Sequence, residues 1–254
     1  MAIRRLYWDI ETSPNIMFSW RAGYKINLDH DNIIRERGII CICYKWEGRD
    51  EIGALTWENG DDTEILETFS VIMGAADEMV AHNGDRFDMR WFNGRNLLLG
   101  LPPIPETKTV DTLAIAKRKF FLNSYKLEYL AQKLCGAGKI KTDFSLWKRI
   151  VLDNDPQAMA DMVKYCKRDV ELLEQVHHKL APYYKPKSHV GVMSGDERWT
   201  CPQCGSERVK KSKTRITPMG MKQHQMHCNS CGRYYTISNL VFRKYLEARY
   251  AEAA

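Results

Sequence analysis

An α/β fold, a mixed sheet flanked by helices, followed by a small cysteine-bound module, is what this sequence predicts. Three observations lead there. Residues 3–57 read as three strands, and residues 63–180 then alternate short apolar strands with helical stretches, the layout of an α/β domain with a hairpin start. A Pro- and Tyr-rich break, Ala181 to Ser188, ends that pattern. Beyond it come two C-x2-C pairs, Cys201/Cys204 and Cys228/Cys231. Residues 1–182 are therefore expected to form one domain, 183–198 a linker, and 199–254 a small module with a C-terminal helix.

Residues 3–9 are apolar enough for a buried strand. An aromatic loop follows, with Phe18, Trp20 and Tyr24. Residues 39–46 and 52–57 read as strands joined through Glu47-Gly48-Arg49-Asp50. In 63–73, Ile65, Leu66, Phe69 and Ile72 fall on one helical face. A short strand at 78–81 precedes a helix at 87–99, stopped by Gly100 and the prolines at 102, 103 and 105. Val110 belongs to another strand that ends at Asp111. Helices are expected at 112–121 and 124–134, the second capped by Ser124. Asp155-Pro156 starts a long helix that runs to about 180, a cap followed by Pro at the first helical position.

The 254 residues, 44% hydrophobic, suffice for one substantial core and a second small module. Residues 3–8 are too short and too charged for a signal peptide, and no apolar run reaches the ~20 residues that span a bilayer. A soluble intracellular protein with no membrane partner is expected. In that setting eight cysteines read as thiols or metal ligands. The net charge of +6 is uneven: residues 186–254 carry 12 Lys/Arg against 5 Asp/Glu, and the remainder is near neutral. A basic module suits a polyanion such as nucleic acid, although a solubilising surface has the same charge.

Asp9-Ile10-Glu11 lies at the end of the first strand, where residues two apart share a face. Two adjacent carboxylates suit Mg²⁺ or Mn²⁺. D-x-E also occurs at Asp62/Glu64 and Asp169/Glu171, and alone it equally fits a strand end entering a polar loop. Asn83-Gly84 turns the chain after the 78–81 strand, Phe87 can plug the core, and Asp88 opens the next helix. Strand ends of this kind hold ligands in α/β sheets. Asp85, in the same turn, competes with Asp88 for such a role, and Asp88 also fits simple helix-start chemistry. Tyr165 and Asp169, four apart on the long helix, share a face.

Together, D-x-E, N-x-x-x-F-D and Y-x-x-x-D, in that order, resemble the DEDD superfamily of 3′–5′ exonucleases. The Tyr form of the third motif is similar to the subgroup containing the proofreading domains of family B DNA polymerases. Asp111-Thr112-Leu113 and Tyr125 to Leu130 resemble the segment between the second and third motifs. Asp9 to Pro14, Tyr44-Lys45-Trp46 and His82 to Asp88 resemble stand-alone, often phage-encoded exonucleases of this type that end in a zinc ribbon. The resemblance covers roughly residues 3–180 and the tail. It implies an RNase H-like fold, and Asp9, Glu11, Asp88 and Asp169 as ligands of two Mg²⁺ or Mn²⁺ ions. Tyr165 would orient or help deprotonate the attacking water. It also implies release of nucleoside 5′-monophosphates from 3′ ends in a bacterial or phage-infected cytoplasm. The substrate would be single-stranded DNA or RNA, with DNA favoured, and a replicative polymerase or other replisome protein is an implied partner. Asn83 and Phe87 would lie against the nucleic acid. Asp111 reads mainly as a strand-end or cap acid. Aromatics of the 14–38 loop, Trp20 among them, would stack on bases, or else cover the sheet.

In the tail, four thiolates from two tight turns suit a closed tetrahedral Zn²⁺ site. Its form resembles a zinc ribbon, with Lys210, Lys211, Lys213 and Arg215 on a hairpin and Tyr234-Tyr235 on the strand after the second pair. That surface fits nucleic acid, or alternatively a protein partner. His224 and His227 read as surface or nucleic-acid contacts, and Cys41, Cys43, Cys135 and Cys166 as packing residues. The leading expectation is a 3′–5′ exonuclease. The alternatives are an endonuclease or resolvase of the same fold and a non-catalytic nucleic-acid-binding adaptor.

Overall fold

The computed structural model describes residues 3–251 apart from Tyr24, Lys25, Asn27, Lys139 and Lys141. Its strands are β1 (Arg5–Thr12), β2 (Ile16–Met17), β3 (Ile33–Arg35), β4 (Ile39–Trp46), β5 (Ile52–Thr56), β6 (Glu78–Ala81), β7 (Lys108–Asp111), β8 (Val209–Ile216), β9 (Lys222–Cys228) and β10 (Tyr234–Ser238). Its helices are α1 (Thr63–Gly74), α2 (Asp88–Leu98), α3 (Thr112–Lys119), α4 (Leu127–Cys135), α5 (Phe144–Asp153), α6 (Pro156–Leu180), α7 (Val190–Met193) and α8 (Asn239–Ala251). The chain divides into two compact units. One is Arg5–Ala114 with Asn123–Val176; the other is His177–Ala254 with Ile115–Leu122 and Met1–Arg4.

The first unit holds a five-stranded mixed sheet of order β5-β4-β1-β6-β7. β1 pairs antiparallel with β4 and parallel with β6, and β6 pairs parallel with β7. Period-two alternation splits β1 between two faces. Leu6, Trp8 and Ile10 enter a core with Phe69 of α1 and Phe92 of α2. The Trp8 and Phe69 rings lie 5.3 Å apart, and Phe92 meets Phe69 edge-on at 5.7 Å. Tyr7, Asp9 and Glu11 take the opposite face, toward α6, where Cys166 Sγ lies 3.5 Å from Asp9 O and Cys43 Sγ 3.8 Å from Val163 O. α6 is long because Ala158, Met162, Cys166, Val170 and Leu173 recur at helical spacing and are buried. Asp155 caps it, its Oδ1 accepting from Gln157 N and Ala158 N.

Two buried ion pairs tie elements distant in sequence. Arg5, 3% exposed, donates to Glu78 and Glu47. Asp62 accepts from Ile39 N and, through both oxygens, from Arg95. Asp62 is thus a structural joint between α1, α2 and β4, while Glu64 is exposed.

The structure departs from the sequence reading in four places. α5, Phe144–Asp153, was not expected. Its Leu146, Ile150 and Val151 make the buried face, and the exposed apolar Phe144 and Leu152 blur the helical period. A small hairpin of β2 and β3 interrupts the aromatic loop. Ser124 does not cap α4, whose N-cap is Lys126; Ser124 Oγ instead accepts from Lys126 N at 3.3 Å, closing a local turn. The 183–198 stretch, expected as a linker, carries α7 at 190–193, after a turn of 3-10 helix at 181–183.

In the second unit β10, β9 and β8 form an antiparallel sheet in that order, and α8 packs on it through Phe242. No helix among the described residues is long and apolar enough to cross a membrane.

Candidate active site

Asp9, Glu11 and Asp169 come together. Each offers a carboxylate oxygen, and those oxygens all lie within 4.8 Å of one another. β1 aims the first two at one face, and α6 lays Asp169 across it. Three ionised carboxylates at this spacing repel by about 3–4 kcal/mol per pair at an effective dielectric near 20. Hard oxygen ligands crowded in this way fit a divalent cation of the Mg²⁺ or Mn²⁺ type. Glu171, two residues beyond Asp169, turns away and pairs with Arg168 at 2.7 Å.

Asp88 stands outside that group of three. It is 2% exposed, and its Oδ1 accepts from Ile10 N at 3.2 Å, between Asp9 and Glu11 along the strand. Parallel pairing with β6 has ended at Tyr7, so Asp88 takes an N–H that the ladder leaves open. Burial, with the charge of Asp111 in addition, pushes the Asp88 carboxyl up to about 7. Asp85 is exposed in the preceding turn.

That turn is tightly determined. Asn83 has a left-handed φ of 69°, its N donates to Asp111 Oδ1 at 3.0 Å, and its O accepts from Phe87 N at 2.9 Å. A Cβ on Gly84 would meet Ala81 Cβ at 2.4 Å, so only glycine fits. Phe87 packs against the core of the first unit. Asp111 also accepts from Ala114 N at 3.1 Å, which makes it a cap for α3.

Tyr165 is half-buried one turn before Asp169 on α6. Trp20 and Phe18 are exposed, 104% and 72%, so neither covers the sheet; Tyr24 lies outside the described residues. Two features were missed in the sequence. Cys41, Cys43 and Cys166 form a buried cluster of thiols within 4.8 Å of one another, and Cys166 Sγ lies 3.8 Å from Asp9 Oδ2. The cross-strand register Glu11–Cys41 and Asp9–Cys43 creates it, and spacing along the chain contains no trace of that pairing. Trp147 of α5 donates to Thr12 O at 3.2 Å, at the end of β1.

In the second unit Cys201, Cys204, Cys228 and Cys231 also converge within 4.8 Å. The Cys201–Cys231 and Cys204–Cys228 sulfurs are 3.6 and 3.7 Å apart. A tetrahedron with ~2.3 Å metal–sulfur bonds has edges of about 3.8 Å, so the thiols fit zinc. The two turns match: Gly205 N donates to Cys201 O and Gly232 N to Cys228 O, and both glycines have left-handed φ. Thiol donation from Cys201 and Cys204 holds Cys231 well below the usual thiol range.

Lys210, Lys211, Lys213 and Arg215 are exposed along the edge strand β8. His224 corrects the sequence reading: it is 4% exposed, stacked on Phe242 at 3.8 Å and hydrogen-bonded through Nε2 to Asn239 Oδ1. β9 is the central strand, so its inward side chains are enclosed. His227 lies 4.5 Å from the Tyr234 ring.

A family model described as the RNase H superfamily matches residues 38–181. The structure is similar to that of the family B DNA polymerase from the hyperthermophilic archaeon Pyrobaculum calidifontis, with TM-score 0.54 and 18% identity. The similarity covers 71% of this chain and 25% of the polymerase, so the chain spans a quarter of that protein. At that identity the likeness speaks to the fold alone. None of the curated proteins matches the sequence. Since the family model covers more than half of the residues, and the mixed sheet with its flanking helices agrees with it, this chain belongs to the RNase H superfamily.

Proposed function

We propose that this protein is a divalent-metal-dependent 3′–5′ exonuclease, acting on single-stranded nucleic acid and releasing nucleoside 5′-monophosphates. The observation that carries the reading is the convergence of Asp9, Glu11 and Asp169 at the end of a central strand. Motif resemblance to the proofreading exonucleases of family B polymerases supports the direction. The fold shared with a quarter of such a polymerase is consistent with it.

Asp9, Glu11 and Asp169 would hold the cations, with Asp88 joining once its carboxyl loses its proton. When bound, two such cations supply an activated water and neutralise charge on the scissile phosphate and leaving oxygen. The chain's own residues do the rest. Tyr165 Oη, on the α6 face that carries Asp169, orients the attacking water. Asn83 and its neighbours shape the turn beside the 3′ end, while Phe87 anchors that turn to the core. Trp20, fully exposed, stacks on a base and holds the strand without sequence preference. In the second unit the four cysteines hold a structural zinc, and the β8 lysines contact phosphates.

The test is a 5′-labelled DNA and RNA strand incubated with Mg²⁺ and either wild type or Asp9→Ala. A ladder shortening from the 3′ end, absent with the variant, is expected. Equal degradation by the variant overturns the proposal. Cleavage of a circular single strand would point to an endonuclease instead, since an exonuclease needs an end.

A further inference from the structure

The segment before the first cysteine pair builds a basic cleft. A cavity of about 560 Å³ in the second unit lies between residues 185–189 and β10, a volume in the range of small-ligand sites. Lys185, Lys187, His189, Arg198, Arg233 and Tyr234 line it, and no carboxylate does so among the described residues. The cleft is prebuilt. Val190 N donates to Pro202 O at 3.0 Å, and α7 sits so close to the first cysteine turn that a Cβ on Gly191 would meet Thr200 Oγ1 at 2.0 Å.

Arg233 is the inner wall. It is 6% exposed and forms no ion pair with a carboxylate among the described residues. One of its terminal nitrogens donates to Ala181 O and Tyr184 O, and its buried Nε has no hydrogen-bond partner. Lys185, Lys187 and Arg198 stand exposed at the mouth and enter no ion pair among the described residues. Like charges held around one concavity repel, and a bound anion relieves that repulsion. Tyr234, 54% exposed, presents an aromatic face at the rim.

We propose that this cleft is a subsite for a single nucleic-acid strand, its cations taking phosphodiester oxygens and Tyr234 stacking on a base. It lies on the opposite sheet edge from the basic strand β8, so the second unit has two separate contacts with the polyanion. The assignment rests on the reading of this chain as a nucleic-acid enzyme and names the surface that holds the strand.

Binding of labelled oligothymidylate to the full-length protein, followed by fluorescence anisotropy across salt without added divalent ion, tests it. Lys187→Ala with Arg198→Ala should weaken binding about tenfold and flatten the log–log salt slope by about 1.4, or ~0.7 per lost phosphate contact. Tyr234→Ala should cost ~5–160-fold on oligothymidylate and nothing on an abasic strand. Unchanged affinity and slope in the double variant, with zinc content retained, overturns the cleft. Equal affinity for inorganic polyphosphate, with Tyr234→Ala silent, overturns the nucleic-acid assignment. Binding is read here without cleavage, so a failure is separable from a failure of the Asp9→Ala assay.

Discussion

The two ligand clusters of this protein are assembled in opposite ways. In the second unit the cysteines of each pair are three positions apart, Cys201/Cys204 and Cys228/Cys231, on a self-contained turn closed by a glycine. In the first unit Asp9 and Glu11 of β1 meet a partner on α6, Asp169, 158 positions beyond Glu11. A local cluster needs only its turns and its ion. A long-range one needs the whole sheet first, and its carboxylates cannot contribute to building it, since they repel. The first unit therefore carries its own scaffolding: the core around Trp8, Phe69 and Phe92, and the buried Arg5 and Asp62 joints.

Four measurements sharpen or break this contrast. The largest effect is expected from zinc removal. Structural zinc contributes on the order of 10 kcal/mol to small modules. Chelation, or Cys228→Ser, should therefore strip amide-exchange protection from β8–β10 and leave β4 protected. Persisting protection in β9 would show that this sheet does not depend on the proposed zinc. Next is Arg5→Ala, which leaves Glu78 buried without its cation and should cost about 3–5 kcal/mol in denaturant unfolding of the first unit. A loss below ~1 kcal/mol would make the joint incidental.

Third comes the Asp88 carboxyl, held near 7 in the fold against 3.8 for an ordinary aspartate. The folded protein then binds that proton more tightly than the unfolded chain does. This group's contribution to stability is full below about pH 3.8 and lost as pH rises through about 7. Metal-free Asp88→Asn should gain up to a few kcal/mol over wild type at pH 8, at about 1.4 per unit, and little at pH 4. Mg²⁺ should narrow that gap at pH 8 by stabilising the wild type more than the variant, which keeps only the other three carboxylates. A gap unaffected by Mg²⁺ would remove Asp88 from the ligand set. The smallest effect is Trp20→Ala, expected to weaken single-strand binding by ~1–3 kcal/mol while leaving the melting temperature unchanged. A silent variant would end the stacking role of this exposed loop.

The split between what was legible and what was not follows the same line. β4 and β6 match their expected bounds, and α1 and α6 nearly so, because alternation and helical spacing are local signals. α5 escaped because exposed apolar Phe144 and Leu152 stand beside its buried face and blur the helical period. The sequence alone puts His224 on the surface because nothing local reveals that β9 is the central strand. The thiol cluster beside Asp9 escaped for a related reason, since Cys41, Cys43 and Cys166 meet only through strand register and helix docking.

By itself the sequence determined the fold class, the cysteine turns and the elements that carry each acid, because strand period, helix period and turn chemistry act within a few residues. The tertiary structure decided which D-x-E faces Asp169 and which braces a helix, that Asp88 stands behind Ile10 N, and that residues 185–189 wall a basic cleft. Those outcomes depend on which surfaces the sheet and helices bury together, and burial is a property of the assembled chain.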